Sequence, residues 1–264
     1  MFTWNPQDYA RNSSCQEILA RELLALADIR QDDVVLDVGC GDGRTTAAIA
    51  ATAASGRAVG VDLSADMIAH ASKQHCASHS NLTFQQADAA HLSFESQFSL
   101  VFSSATLHWV PDQRAVVQGI ARALVDGGRV IAQMGGSPGN GTEVAVAFDE
   151  VAATSRWRGL LRPFVNAYYF REPADYAGWL GEAGMEIQEC RLIPKVITYS
   201  GREAFTGWLR TAWHPYASRA EPELREAFIG DAVARYLATH PEDAEGQIGV
   251  KMARLQVRAS KPQR

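Results

Sequence analysis

Apolar side chains along this chain follow two rhythms that alternate. Short continuous apolar runs stand at Val34–Val38, Arg57–Asp62, 81–85, Phe98–Ser104 and 129–134. Runs of that length, stopped by glycine or an acid, read as strands buried on both faces. Between them apolar positions recur every three or four residues, as helices covering a sheet require. Ile18, Leu19, Leu23 and Leu26 form one such face, with Ser13 or Ser14 as its N-cap. Residues 45–54 form the next, Ser64-Ala65-Asp66-Met67 opens a third with a capping signature, and Pro111 opens a fourth. Strict alternation of this kind predicts a parallel α/β sheet with helices on both faces and right-handed crossovers.

After Gly135-Gly136 the rhythm changes. Residues 142–158 read as a helix, followed by a stretch rich in aromatic rings, then a helix over 173–183 closed by Gly184 as a left-handed cap. A sixth strand spans 185–199, with Pro194 expected to limit its pairing. Helices follow at 201–216 and 222–239. The last strand covers 248–259, and its alternation slips near Ala253, which reads as a bulge. The expected organisation is therefore a lid and first helix (1–30), a cofactor-binding core (31–135), a helical cap insertion (136–184), a core strand (185–200), a second helical cap segment (201–246), and the last core strand with its tail (247–264).

Composition narrows the class. The chain has 264 residues, 47% of them apolar, enough to bury one large core with a cap. Its net charge of -5 gives no general attraction to nucleic acid or to an anionic membrane, and the basic clusters at 156–162 and 258–264 are short. Cys15, Cys40, Cys76 and Cys190 have neither zinc-ligand spacing nor a disulfide pattern, so no metal is expected. No signal peptide pattern opens the sequence and no eighteen apolar residues run together. A soluble cytoplasmic protein, monomer or homodimer, is expected.

The chemistry concentrates where the first strand ends. Gly39, Gly41 and Gly43 alternate there, permitting a sharp turn and a close backbone approach to a nucleotide-like ligand. A nicotinamide fingerprint would want its third glycine at position 44, which is arginine. Asp37 lies inside the strand, where a carboxylate can face a cationic amine. Asp62, ending the second strand, would accept ribose hydroxyls, and Asp88 after the third could read an adenine amino group. Taken singly, Asp62 fits a dinucleotide equally well, Asp88 is also a common turn residue, and Cys40 reads as a buried filler rather than a nucleophile. Together they point to S-adenosylmethionine, whose α-ammonium a dinucleotide lacks.

DVGCGDG, VGVDLS and QQADAAHL, with the segment after the fourth strand, resemble class I S-adenosylmethionine-dependent methyltransferases. WNPQDY with GREAFTGWLRTAWHPY resembles the trans-aconitate methyltransferase type, and YARNSSCQ with SSATLHWVPDQ the juvenile hormone acid type. The resemblance implies a Rossmann-like, seven-stranded, mostly parallel sheet whose last strand is antiparallel, with a helical cap over the active site. It implies an enzyme that releases S-adenosylhomocysteine and uses no metal. The cofactor residues implied are Tyr9, Asp37, Gly39, Cys40, Gly41, Asp62, Leu63, Met67, Asp88, Ala89, Ser103 and His108. For the acceptor, Gln16 and Trp109 fall where carboxyl methyltransferases hold a carboxylate with neutral donors, and His108, Tyr168 and Trp213 are expected beside them.

A carboxylate is already ionised at neutral pH, so no catalytic base is required. The expected reaction is carboxyl O-methylation of a small organic acid. Two rivals stay open: methylation of a hydroxyl or phenol with His108 as base, and a non-catalytic cofactor-binding module. Arg162, Arg171 or Arg210 could pair a second carboxylate.

Overall fold

The computed structural model of the chain describes residues 14–263, so Tyr9 and Ser13 lie outside the described residues. The elements run α1 (Ser14–Leu26), β1 (Val34–Val38), α2 (Arg44–Thr52), β2 (Arg57–Asp62), α3 (Ala65–His75), β3 (Leu82–Gln86), β4 (Phe98–Ser104), α4 (Gln113–Ala123) and β5 (Leu124–Gly135). After these come α5 (Thr142–Ala152), α6 (Pro173–Glu182), β6 (Glu186–Ser200), α7 (Gly201–Ala212), α8 (His214–Ala217), α9 (Pro222–Leu237) and β7 (Gln247–Ser260). The seven strands form one sheet in the order β3-β2-β1-β4-β5-β7-β6. Only β7 runs antiparallel to its neighbours. The expected α/β fold, with its antiparallel last strand, is borne out.

Local signals explain most boundaries. Ser64 caps α3 by accepting the Met67 N–H at 3.3 Å, as its signature predicts. α4 starts two residues after Pro111, with Asp112 as the cap accepting from Ala115 N–H at 2.9 Å. Gly184 takes the left-handed conformation (φ 71°) that closes α6.

The two faces of the sheet are covered differently. Leu23 of α1 and Ile49 of α2 pack on one face against Val35, Leu100 and Phe102. Ile120 of α4 and Tyr176 and Leu180 of α6 pack on the other, against Leu36, Val101 and Leu255. A third cluster lies beyond the sheet, where β6 and β7 continue as a two-stranded ribbon past the end of β5 at Gly135. Ile197, Tyr199, Ile248 and Val250 of that ribbon pack against Phe148 of α5, Phe205 of α7 and Phe228 of α9.

Three expectations change. The helix expected over 142–158 stops at Ala152, and Thr154 Oγ1 donates to Val151 O at 2.7 Å, a local bond that competes with helix continuation. Pro194 does not limit pairing, because β6 is an edge strand and its register with β7 continues through Pro194↔Ala253 to Ser200↔Gln247. The slip in β7 is not a bulge. From Gln247 to Lys251 the ribbon alternates buried and exposed, whereas from Met252 to Val257 every residue is buried as β5 joins the other side. The register shift lies instead at Ile187/Glu189. Within the span read as a cap insertion, α6 packs on the sheet beside α4, with Tyr176 Oη donating to Gln113 Oε1 at 2.8 Å.

One buried ion pair ties the residue before β1 to Arg129 of β5. Asp33, 3% exposed, accepts from Arg129 at 2.7 and 3.1 Å and from Ser99 Oγ at 2.6 Å. Burial pushes its acid up, but these donors hold it below the usual value. An Arg129→Met variant should therefore lose about 3 kcal/mol in urea unfolding at pH 7, since it strands a buried carboxylate. Because the folded pKa is depressed, this stabilisation is present above about pH 4 and disappears on acidification. Wild type and variant should converge there, and parallel stability curves down to pH 3 would contradict the assignment.

Candidate functional site

Strand order reverses between β1 and β4, and the loops after β1, β2, β3, β4 and β5 gather at that end of the sheet. The glycine turn is built by backbone bonds. Gly39 and Cys40 N–H both donate to Val61 O, at 2.7 and 2.9 Å. Asp62 then accepts the Gly41 N–H at 3.0 Å and the Ser64 N–H at 2.9 Å, which fixes the turn against β2. Gly39, Gly41 and Gly43 all take the left-handed conformation that the sharp turn requires. Gly39 has φ 78°, and a Cβ there would meet Thr106 at 2.0 Å, so its bare backbone also admits a neighbouring side chain.

Two cavities meet at this turn and share Gln16, Gly39 and Gly41. The smaller is polar and includes Asp37, Cys40 and Ser104. Asp37 is 2% exposed and accepts from Thr46 Oγ1 at 2.7 Å. Burial, with Asp62 nearby, raises its pKa to about 7 despite that bond. Gln16 Oε1 and Ser104 Oγ are buried there without a hydrogen-bond partner. An acid and two orphaned oxygens in one small cavity match the three donors of an α-ammonium group. Burial, with Asp37 and Asp62 beside it, pushes the Cys40 thiol up, leaving it a filler.

The larger cavity extends from the turn to the cap. Asp62, Leu63, Met67, Asp88 and Ala89 line its β2–β3 side. Asp88 caps the following turn, accepting from Ala90 N–H at 2.9 Å, with His91 Nδ1 2.9 Å from its other oxygen. Burial pushes its acid up, yet these two neighbours hold it below the usual value. Ser103 is not in either cavity: its hydroxyl donates to Val38 O at 2.7 Å. Alternation along β4 sends Ser104 to the smaller cavity instead.

The cap side carries the expected acceptor residues His108, Trp109, Tyr168 and Trp213. The chain from 163 to 170 hangs on the loop after β4 by Tyr169 N–H to His108 O (2.8 Å) and by Gln113 Nε2 to Tyr169 O (2.6 Å). This brings Tyr168 to 5.0 Å from the Trp109 ring and Phe170 to 5.7 Å from His108. The Tyr168 hydroxyl donates to Ala212 O at 2.9 Å, so this residue gives the cavity its ring. Trp213 packs over Gly141, where a Cβ would meet its ring at 2.4 Å.

His108 is 8% exposed, and its Nδ1 accepts the Gly135 N–H at 3.3 Å, which leaves the proton on Nε2. Burial, reinforced by Arg254, lowers its pKa to about 3. The imidazole is thus a neutral donor at neutral pH, an arrangement that does not favour the role of base considered for it. Arg162 and Arg210 are engaged on the surface by Glu221 and Glu226 (2.6–2.7 Å and 2.6 Å), and Arg171 stacks over Trp179 at 5.7 Å. The arginine that lines the cavity is Arg254 of β7, with Asn140, Thr106 and Met252 also present. These four escape sequence reasoning; the one available signal was a charge amid the apolar run of β7.

This sheet, turn and acidic cavity accord with the comparisons, by which the chain belongs to the S-adenosylmethionine-dependent methyltransferases. Residues 35–128 match the family described as a methyltransferase domain. The chain is 31% identical to the trans-aconitate 2-methyltransferase of Methylobacterium radiotolerans, covering 99% of each. It is 30% identical to an uncharacterized methyltransferase of Schizosaccharomyces pombe, covering 98% of each. Among solved structures, the YcgJ protein of Bacillus subtilis superposes with a TM-score of 0.65 at 18% identity, covering 94% of this chain and 100% of that one. Among the described residues no helix is long and apolar enough to cross a membrane.

The Asp37 environment makes a pH prediction. A cationic ligand favours the carboxylate, so affinity for S-adenosylhomocysteine should fall about tenfold per pH unit below about 7. Without ligand the sign is opposite. A raised carboxyl pKa stabilises the fold below about 4 and this contribution is lost as pH rises through 7. Asp37→Asn should therefore bind S-adenosylhomocysteine weakly at every pH, yet melt higher than the ligand-free wild type at pH 8. Calorimetry and thermal melts check both, and a pH-independent wild-type affinity would refute the assignment.

Proposed function

We propose that the chain methylates a carboxyl oxygen of a small organic acid held between the glycine turn and the cap. The observation that carries this reading is the donor set on the acceptor side, which contains neutral hydrogen-bond donors and lacks a competent base among the described residues. His108 offers an Nε2–H, and Trp109 brings an indole to the same wall. Gln16 stands where the two cavities meet, and its amide carries both an acceptor and donors. Neutral donors orient a carboxylate without drawing off the charge that makes it nucleophilic. The full-length relatives named for trans-aconitate support an acidic acceptor.

S-adenosylmethionine, when bound, supplies a methyl group on a sulfonium, and its transfer to a carboxylate cancels opposite charges in a way a dry site favours. Asp37, Asp62 and Asp88 would hold the donor's ammonium, ribose and adenine, with Gly39, Gly41, Leu63, Met67 and Ala89 shaping the seat. Phe170, Tyr168, Trp208 and Trp213 keep water from the acceptor side.

Gln16→Ala and Trp109→Phe should each lower kcat/KM for the acid by roughly ten- to a hundredfold; S-adenosylhomocysteine affinity should change less than threefold in Trp109→Phe and fall in Gln16→Ala, which also removes an acceptor for the ammonium. At saturating cofactor, kcat should be flat from pH 6 to 9. A limb near pH 6 to 7 that vanishes in His108→Asn would favour a hydroxyl acceptor with His108 as base.

A further inference from the structure

We propose that Arg254 binds a second, non-reacting carboxylate of the acceptor and so selects polycarboxylates over monocarboxylates. This rests on the carboxyl-acceptor reading and adds the residue that sets its specificity. Arg254 is 3% exposed and lines the larger cavity. Among the described residues it is the one cation there, whereas Asp62 and Asp88 supply acids on the β2–β3 side. Its position is rigid: it pairs with Gly135 of β5 on one side and Ile193 of β6 on the other. Gly135 also gives its N–H to His108, so Arg254 stands beside the wall of neutral donors without belonging to it.

The neighbours of Arg254 fit a polar ligand group. Asn140, 8% exposed, lines the same cavity, and its amide Nδ2 is the atom that could donate to an anionic ligand group there. A Cβ at Gly135 would meet Asn140 Nδ2 at 2.7 Å and the Phe170 ring at 2.6 Å, so glycine there lets both approach the strand end. An amide beside a guanidinium can read a carboxylate, the arginine through a planar fork and the amide through one donor. Were Arg254 to hold the reacting carboxylate, it would withdraw the negative charge that attacks the methyl group. Its chemistry suits an anchor, and the neutral donors suit the reacting end.

The test is calorimetry on the protein loaded with S-adenosylhomocysteine, using trans-aconitate as the tri-acid and crotonate as a mono-acid of similar skeleton. Wild type should bind the tri-acid at least tenfold more tightly. Arg254→Gln should bring that ratio close to one, through a ten- to hundredfold loss for the tri-acid. Arg254→Lys should restore part of it, a rescue that a purely structural role would not give. Equal affinities in wild type, an unchanged ratio in Arg254→Gln, or failure of both acids to bind would overturn the proposal. Tri-acid binding that depends on Arg254, with no methyl ester formed on adding S-adenosylmethionine, would sustain the anchor and refute the proposed reaction.

Discussion

The reversal of strand order between β1 and β4 is the constraint on which the site depends. Crossovers that leave in opposite directions from adjacent strands cannot both cover the gap between them, so a crevice opens beyond their carboxyl ends. What fills its walls follows from short backbone bonds. Val61 O and the Asp62 carboxylate together hold three successive N–H groups of the turn, at Gly39, Cys40 and Gly41. With the turn held by β2, its opposite side is free to border both cavities.

Buried charge divides this crevice. Asp37 is desolvated enough to titrate near neutrality, and it sits with two orphaned oxygens, so a cation placed there would relieve the penalty. At the cap end the sign is reversed. Arg254 contributes a positive field that, with burial, keeps His108 neutral. One crevice thus carries a buried acid at one end and a buried cation at the other.

Much of this was legible in the sequence, and the parts that were not share a cause. The strand runs, the turn glycines and Asp62 are local: the residues that make the pattern also make the feature. Gln16, Trp109 and His108 were legible through resemblance, and all three line the cavity. The protonation of His108 was not legible, because its tautomer is set by Gly135, twenty-seven residues away in sequence. Ser103 failed by one residue, since strand alternation decides which hydroxyl faces the cavity. Arg254 was hidden because the slip around Ala253 has two causes in principle. A bulge and a change from one-sided to two-sided burial break alternation alike, and only the partner strand tells them apart.

The antiparallel insertion of β7 between β5 and β6 has a consequence for the acceptor side. A parallel strand in that slot would end at the crevice and hand over to a loop, as the other strands do. β7 instead enters the sheet there, after a stretch that pairs with β6 alone and forms the floor of the cap. The residue at the point of entry is Arg254, hydrogen-bonded into the sheet on both sides rather than carried by a loop. Side chains on strands keep their direction better than side chains on loops. The same ribbon therefore supports the cap from below and places a cation in the cavity wall, which would couple the cap's packing to the acceptor choice proposed for Arg254. Changes in the ribbon core at Ile197 or Val250 would then act on acceptor binding through the position of Arg254, with the seat built by Asp37 and Asp62 left in place.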